Sequence, residues 1–109
     1  MMPAIAVQPC VGTTVKCLEA CERCAVECGT SGDRKREQCA MLARDCADLA
    51  ALSLALMSRG SRYAEAVCAV HAKACDACAE MCATFPEHAC CTECMKACRA
   101  CAAECRIHV

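Results

Sequence analysis

The cysteines of this chain recur at helical spacing. Cys17, Cys21, Cys24 and Cys28 step by 4, 3 and 4 residues. At about 100° per residue, these four thiols fall within a narrow arc on one side of an α-helix. The pattern returns twice. Cys68, Cys75, Cys78 and Cys82 share a second arc, and Cys91, Cys94, Cys98, Cys101 and Cys105 a third, with Cys90 and Cys91 at opposite edges of that last arc. A buried helix face normally carries Leu, Ile and Val. Here large aliphatic residues are sparse, so Cys and Ala must fill much of any core, and the chain can bury its thiol faces only by packing helices against one another.

Turn signals divide the 109 residues into four parts. Gly29-Thr30-Ser31-Gly32-Asp33 is a break, with Asp33 suited to an N-cap. In Ser58-Arg59-Gly60-Ser61, Gly60 suits a helix C-terminus and Ser61 the next N-cap. In Thr84-Phe85-Pro86-Glu87, Pro86 fits a first helical turn, and Thr84 with Glu87 matches a capping box. The helices expected from these signals are Val11 to Cys28, Arg34 to Met57, Arg62 to Ala83 and Pro86 to Ile107. Residues 1–9 are expected to be a flexible N-terminal segment. A start at Pro9 instead would bring Cys10 in one heptad before Cys17, but Gly12 weakens such an extension. Helices of about 20 residues span about 30 Å, and the short links between them make neighbours antiparallel. The expected fold is all-α: one domain over 1–109, an antiparallel up-down-up-down four-helix bundle with a cysteine-lined core. The second helix departs from the pattern. It carries only Cys39 and Cys46, and its inward row is expected to continue as Leu42, Leu49, Ser53 and Leu56.

Composition removes several classes of function. The formal net charge is -1, with one Phe, one Tyr and no Trp. Nothing here offers the basic footprint or the stacking platforms that nucleic acid requires. The most apolar run, Ala47 to Met57, falls short of the roughly 20 residues needed to cross a bilayer. Dense cysteine often marks a secreted disulfide scaffold. Three features oppose that here: the first ten residues lack a basic stretch followed by a long apolar run, the cysteine count is odd, and the spacing is helical rather than loop-like. A reducing, cytoplasmic location follows as the expectation, and there dense thiols more often bind metal. No strand pattern accompanies any Cys-x-x-Cys, so a thiol oxidoreductase is disfavoured, and no enzymatic role is expected.

Thiolates select Cu(I), Zn(II) and iron–sulfur clusters. Successive inward thiols on one helix lie about 5–6 Å apart, and two sulfurs bridged by one metal with bonds of about 2.3 Å lie about 4.6 Å apart. Small rotamer changes therefore bring both same-helix and cross-helix pairs onto a metal. Charge then discriminates. Four thiolates around one Zn(II) leave a surplus of two negative charges, and stacking such sites in a dry core is costly. Cu(I) accepts two or three thiolates. Where each copper takes two sulfurs and each sulfur bridges two coppers, the ratio is one to one and the core is neutral. Loading then exchanges one proton for one Cu(I) at each thiol. The expected cargo is multiple Cu(I) ions, on the order of one per core cysteine. The candidate ligands are Cys10, Cys17, Cys21, Cys24, Cys28, Cys39, Cys46, Cys68, Cys75, Cys78, Cys82, Cys90, Cys91, Cys94, Cys98, Cys101 and Cys105. His71 shares an arc with Cys68 and Cys75 and is either a further ligand or a core histidine bonded to a neighbour. When unloaded, the thiols are expected to be protonated and to behave as small hydrophobes, so the empty bundle stays folded.

With its Cys-x2-Cys-x3-Cys pattern repeated on the first, third and fourth helices, the helix lengths and the short links, the chain resembles the copper storage proteins along nearly its whole length. The resemblance implies Cu(I) held inside the bundle by cysteine thiolates, in copper homeostasis. It also implies the cytosolic, homotetrameric branch, with a copper chaperone or efflux protein as a possible partner. In that family His and Met near one mouth assist copper uptake. By that analogy the entrance is expected at the end that gathers Cys28, Cys39, Cys82, Cys90, Cys91 and His88, with His88 a ligand or relay in the first turn of the fourth helix. The other end, with Leu49, Leu52, Leu56, Tyr63 and Val67, is expected to be an apolar plug. Met57 is expected in the core, and Met41, Met81 and Met95 away from the thiols. A zinc or general thiol buffer and an iron–sulfur protein are the alternatives. Against the latter, ferredoxin-type clusters use C-x2-C-x2-C-x3-C-P in loops, and no Pro follows a cysteine group here.

Overall fold

The computed structural model describes residues 4–108. Within them the chain forms four helices: α1 (Ala4–Gly29), α2 (Arg34–Ser58), α3 (Ala64–Cys82) and α4 (Ala89–His108). No strand occurs among the described residues. Each helix packs against its neighbours in sequence, and α4 closes the ring against α1, while the backbones of the diagonal pairs stay apart and only inward side chains meet between them. Contacts between facing residues set the directions. On α1 and α4, Cys28 meets Cys91, Cys21 meets Cys94 and Cys17 meets Cys98. On α2 and α3, Cys39 meets Cys82 and Cys46 meets Cys75. One number rises as the other falls, so the helices alternate up and down, and the body is a rod of 44 × 18 × 17 Å.

The caps explain where the helices stop. Asp33 accepts hydrogen bonds from the backbone N–H of Lys35 at 2.9 Å and of Arg36 at 3.4 Å, the N-cap expected for α2. At its other end Gly60 takes φ 64°. The amide of Gly60 bonds the carbonyl of Met57, and that of Ser61 the carbonyl of Leu56. This paired return is the Schellman arrangement that a glycine makes accessible.

Three boundaries differ from the expected ones by more than one residue. Helix α1 opens at Ala4 rather than Val11, and so takes in residues 4–9 of the segment expected to be flexible. Residues 1–3 and 109 lie outside the described residues. The helix persists past Gly12 because Cys10 is fully buried, with its thiol donating to the Glu104 carbonyl of α4 at 3.3 Å; tertiary packing outweighs one glycine's poor propensity. Helix α3 begins at Ala64, not Arg62. The Ser61 hydroxyl is spent locally on the Tyr63 amide at 3.1 Å, and residues 61–63 form a turn. Helix α4 begins at Ala89, not Pro86, and the capping box does not form. The Thr84 hydroxyl bonds backwards to the Met81 carbonyl at 2.7 Å, while the His88 carbonyl receives the amides of Cys91 and Thr92. His88 thus precedes α4 instead of sitting in its first turn.

The inward face of α2 also differs. Its buried residues are Cys39, Ala40, Ala43, Cys46, Ala47, Ala50, Ser53, Leu56 and Met57. Leu42 and Leu49 are only half-buried, and line a groove with Ala74 and Ala77 of α3. Small alanines let α2 approach its neighbours closely, which turns the bulkier leucines to the flank. The expected apolar plug is reduced for the same reason. Leu56 is buried, but Leu52 and Tyr63 are exposed and Leu49 and Val67 half-buried. Met57 is in the core and Met41 is exposed, as expected. Met81 and Met95 pack partly against the core.

Candidate metal centre

All seventeen cysteines are buried, and all are free thiols. The register of the helices stacks them into one column along the bundle axis. Helix α1 supplies Cys10, Cys17, Cys21, Cys24 and Cys28. Helix α2 supplies Cys39 and Cys46, and α3 supplies Cys68, Cys75, Cys78 and Cys82. Helix α4 supplies Cys90, Cys91, Cys94, Cys98, Cys101 and Cys105.

Along the column the ligand atoms gather in sets whose members lie within 4.8 Å of one another. Cys17, His71, Cys75 and Cys101 form one. Cys17, Cys46, Cys75 and Cys98 form the next, followed by Cys21, Cys78, Cys94 and Cys98. Near the loop between α3 and α4, Cys24 joins Cys39, Cys82 and Cys91, and also Cys28, Cys90 and Cys91. The sets share members: Cys17 and Cys75 belong to the first two, Cys98 links the second to the third, and Cys24 and Cys91 serve both of the last two. Cys24 and Cys82 interact in turn with Cys94, so the two halves of the column join. Shared sulfurs are the geometry of bridged, multi-metal thiolate chemistry rather than of separate mononuclear sites.

Neighbouring sulfurs stand apart by distances such as 3.5 Å for Cys39 and Cys82, 3.7 Å for Cys21 and Cys98, and 3.9 Å for Cys17 and Cys98. Those separations far exceed a disulfide bond of about 2.05 Å. With metal–sulfur bonds of about 2.3 Å, a tetrahedral edge is about 3.8 Å and a trigonal one about 4.0 Å. Distance therefore suits either coordination number, and charge separates them. Stacked Zn(II)-tetrathiolate sites accumulate negative charge in a dry core, whereas bridged Cu(I) thiolates reach neutrality.

The protons of the empty column are shared between touching thiols. The hydrogen bond with Cys21 holds Cys78 below the ordinary thiol range, while the contacts of Cys98 with Cys17 and Cys21 keep its proton on. At the loop end, burial pushes Cys90 up to about 12 and raises Cys91 and Cys28 as well. Seventeen thiols in contact cannot all ionise without a counter-charge. A cation that enters must therefore displace protons.

His71 is the only imidazole among the described residues brought into the column. Its Nε2 lies 3.4 Å from Cys75, 3.6 Å from Cys46 and 3.8 Å from Cys17, and its Nδ1 lies 3.9 Å from Cys101. Burial acts to lower the imidazolium pKa, but Cys101, Cys17 and Cys46 together outweigh it and push the ring up to about 12. His88 lies outside the five sets. It is half-buried, with its Nε2 3.6 Å from Glu87, and lines a surface pocket of about 420 Å³ together with Cys90, Arg36 and Glu27.

Three members of this environment were not singled out by the sequence. Thr14 is fully buried, with its hydroxyl 3.5 Å from Cys101. Its position four residues after Cys10 and three before Cys17 was an available signal. Arg36 extends over the loop end of the column, its Nη2 4.0 Å from Cys90; a charge in the first turn of α2 reads from sequence as solvent-facing. Phe85 is buried beneath the α3–α4 turn. At the far end, Cys10, Cys68 and Cys105 stand outside the five sets and interact with one another. Ser53 faces Cys68 there, and Leu56, Met57 and Ala64 are buried beyond it.

The family model described as copper storage protein matches residues 4–109. An uncharacterized cysteine-rich protein, YhjQ of Bacillus subtilis (strain 168), is 34% identical over 100 residues, covering 91% of this chain and 92% of that one. Among solved structures, Cu(I)-bound copper storage protein BsCsp3 superposes with a TM-score of 0.88 at 32% identity, covering 94% of this chain and 97% of that one. Apo-Csp3 from Bacillus subtilis superposes with a TM-score of 0.85 at the same identity and coverage.

Proposed function

This chain belongs to the copper storage protein family, and from that premise we propose how its thiol column works. The protein binds and stores multiple Cu(I) ions inside the four-helix bundle. The observation that carries this is the sharing of Cys17, Cys75, Cys98, Cys24 and Cys91 between neighbouring ligand sets. Each shared sulfur bridges two ions, so successive ions join one continuous array.

All seventeen cysteines serve as ligands, with His71 adding a nitrogen in its layer. Each Cu(I) that binds replaces a proton on the sulfur it joins, and the core stays near neutrality as it fills. The capacity is on the order of one ion per cysteine. The matches to both an apo and a Cu(I)-bound fold support a bundle that is complete before metal arrives. Copper enters at the loop end, where Cys90 meets the surface pocket and His88 acts as a relay. The role is storage without catalysis, exercised by residues 1–109 as one domain, in the cytoplasm, by a homotetramer that exchanges copper with a chaperone or efflux partner. No helix among the described residues is long and apolar enough to cross a membrane.

Metal analysis tests the choice of cargo. Protein isolated anaerobically from cells grown with excess copper and zinc together carries mainly copper on this account. A preparation carrying chiefly zinc points to a thiol buffer instead, and visible absorption from bound iron points to a cluster protein.

A further inference from the structure

Among the described residues, surface pockets reach a thiol of the column at its opposite ends. One is the pocket at Cys90 already described. The other lies between α3 and α4 near the far end, and is lined by Glu65, Cys68, Ala69, Ala72, Cys105 and Arg106. The grooves along α2 and α3 and along α1 and α4 expose no cysteine. The far end is closed along the axis, where Leu56, Met57 and Ala64 are buried. The side is only thinly covered: Ala69 and Ala72 are small, Cys68 is fully buried, and Cys105 keeps 3% of its surface exposed.

We infer that this pocket is a lateral portal through which a small aliphatic thiol exchanges Cu(I) at Cys105, with Cys68 behind it. The inference rests on the storage reading above. The pocket holds about 140 Å³, enough for a thiol headgroup and a short alkyl stem but not for an aromatic chelator or a folded partner. Behind it Cys105 interacts with Cys101, Cys68 and Cys10, and Cys101 lies in the His71 set. An ion released at the portal is therefore replaced from deeper in the column. Exchange is a ligand substitution. The incoming sulfur forms a bond to Cu(I), the bond from copper to Cys105 breaks, and the proton of the incoming thiol passes to the Cys105 thiolate; a second incoming thiol displaces the remaining protein thiolate in the same way, and the ion leaves held by two small thiolates. Copper remains Cu(I), and no electron is transferred.

Ala69 is exposed, so Ala69→Phe can cover the pocket from outside without adding volume to the core. Fully loaded protein is mixed anaerobically with excess 2-mercaptoethanol, and a bulky aromatic Cu(I) chelator collects the released ions. The thiol-dependent release in the wild type loses one phase in Ala69→Phe, slowed by tenfold or more, while the copper content at saturation stays the same. Ala89→Phe, placed at the Cys90 pocket, leaves that phase intact. Release from Ala69→Phe at the wild-type rate overturns the portal. A saturation content of only one or two ions overturns the storage reading instead, so the two failures are distinguishable. Brief iodoacetamide labelling of the apo protein gives a second readout. Cys105 is alkylated before Cys98 and Cys21, and Ala69→Phe protects it; labelling of Cys105 no faster than of Cys98 contradicts the portal.

Discussion

The Nε2 of His71 lies 3.4 Å from the Sγ of Cys75, one turn further along α3. The same nitrogen faces Cys46 from α2 and Cys17 from α1, and Nδ1 faces Cys101 from α4, so one ring touches thiols of all four helices. His71→Phe keeps most of the ring volume and removes both nitrogens. The apo bundle retains its helical content, and the copper capacity falls by about one ion. X-ray absorption of the loaded variant loses its nitrogen contribution. An unchanged capacity and spectrum return His71 to the status of a core residue.

Burial pushes the Cys90 thiol from its ordinary 9.0 up to about 12 and raises Cys91 in the same direction. A thiol whose pKa rises on folding favours the fold while it is protonated. Its contribution is fully present below about pH 9 and is lost as pH rises through about 12. The difference in melting temperature between the apo protein and its Cys90→Ala variant is therefore flat near neutral pH and changes between those values as the contribution of Cys90 is lost. A thermal scan across this range checks it. The copper-loaded protein, whose thiolates already carry Cu(I), resists the same alkaline treatment.

Leu56 and Met57 close the far end of the column and are both buried. Leu56→Ala removes apolar surface from a site that relaxes only in part, and destabilises the apo protein by about 2–4 kcal/mol. Urea unfolding of apo protein measures this. The number of ions bound at saturation stays the same, since neither residue supplies a ligand.

Asp33 caps α2 through two backbone amides. Asp33→Ala leaves them to solvent and lowers apo stability by about 1 kcal/mol. Urea unfolding checks this as well. Copper capacity is unaffected, which separates the stability of the scaffold from the chemistry it encloses.

The thiol column was legible because its period is that of the helix. Once Cys17, Cys21, Cys24 and Cys28 fall on one arc, any packing that buries one buries all four. The α2 capping aspartate and the Gly60 turn were legible because their chemistry is local. The phase of α2 was legible only in part: Cys39, Cys46, Ser53 and Leu56 are buried as expected, but Leu42 and Leu49 are not. Leu42, Leu49 and Leu52 are more apolar than the alanines beside them, yet Ala43, Ala47 and Ala50 face inward. Close helix approach, a property of all four helices together, decided that rotation. The start of α4 was misread because Thr84 had two partners available. It took the Met81 carbonyl behind it rather than the amide ahead. The pocket at Cys105 depends on how α3 and α4 meet, and no local pattern encodes it.

Anaerobic titration of the apo protein with Cu(I) against a competing chelator, followed by circular dichroism, tests the central claim most directly. A continuous array of shared sulfurs predicts saturation on the order of one ion per cysteine, with the helical signal present before the first addition. Saturation after one or two ions, or a helical signal that appears only as metal binds, contradicts it.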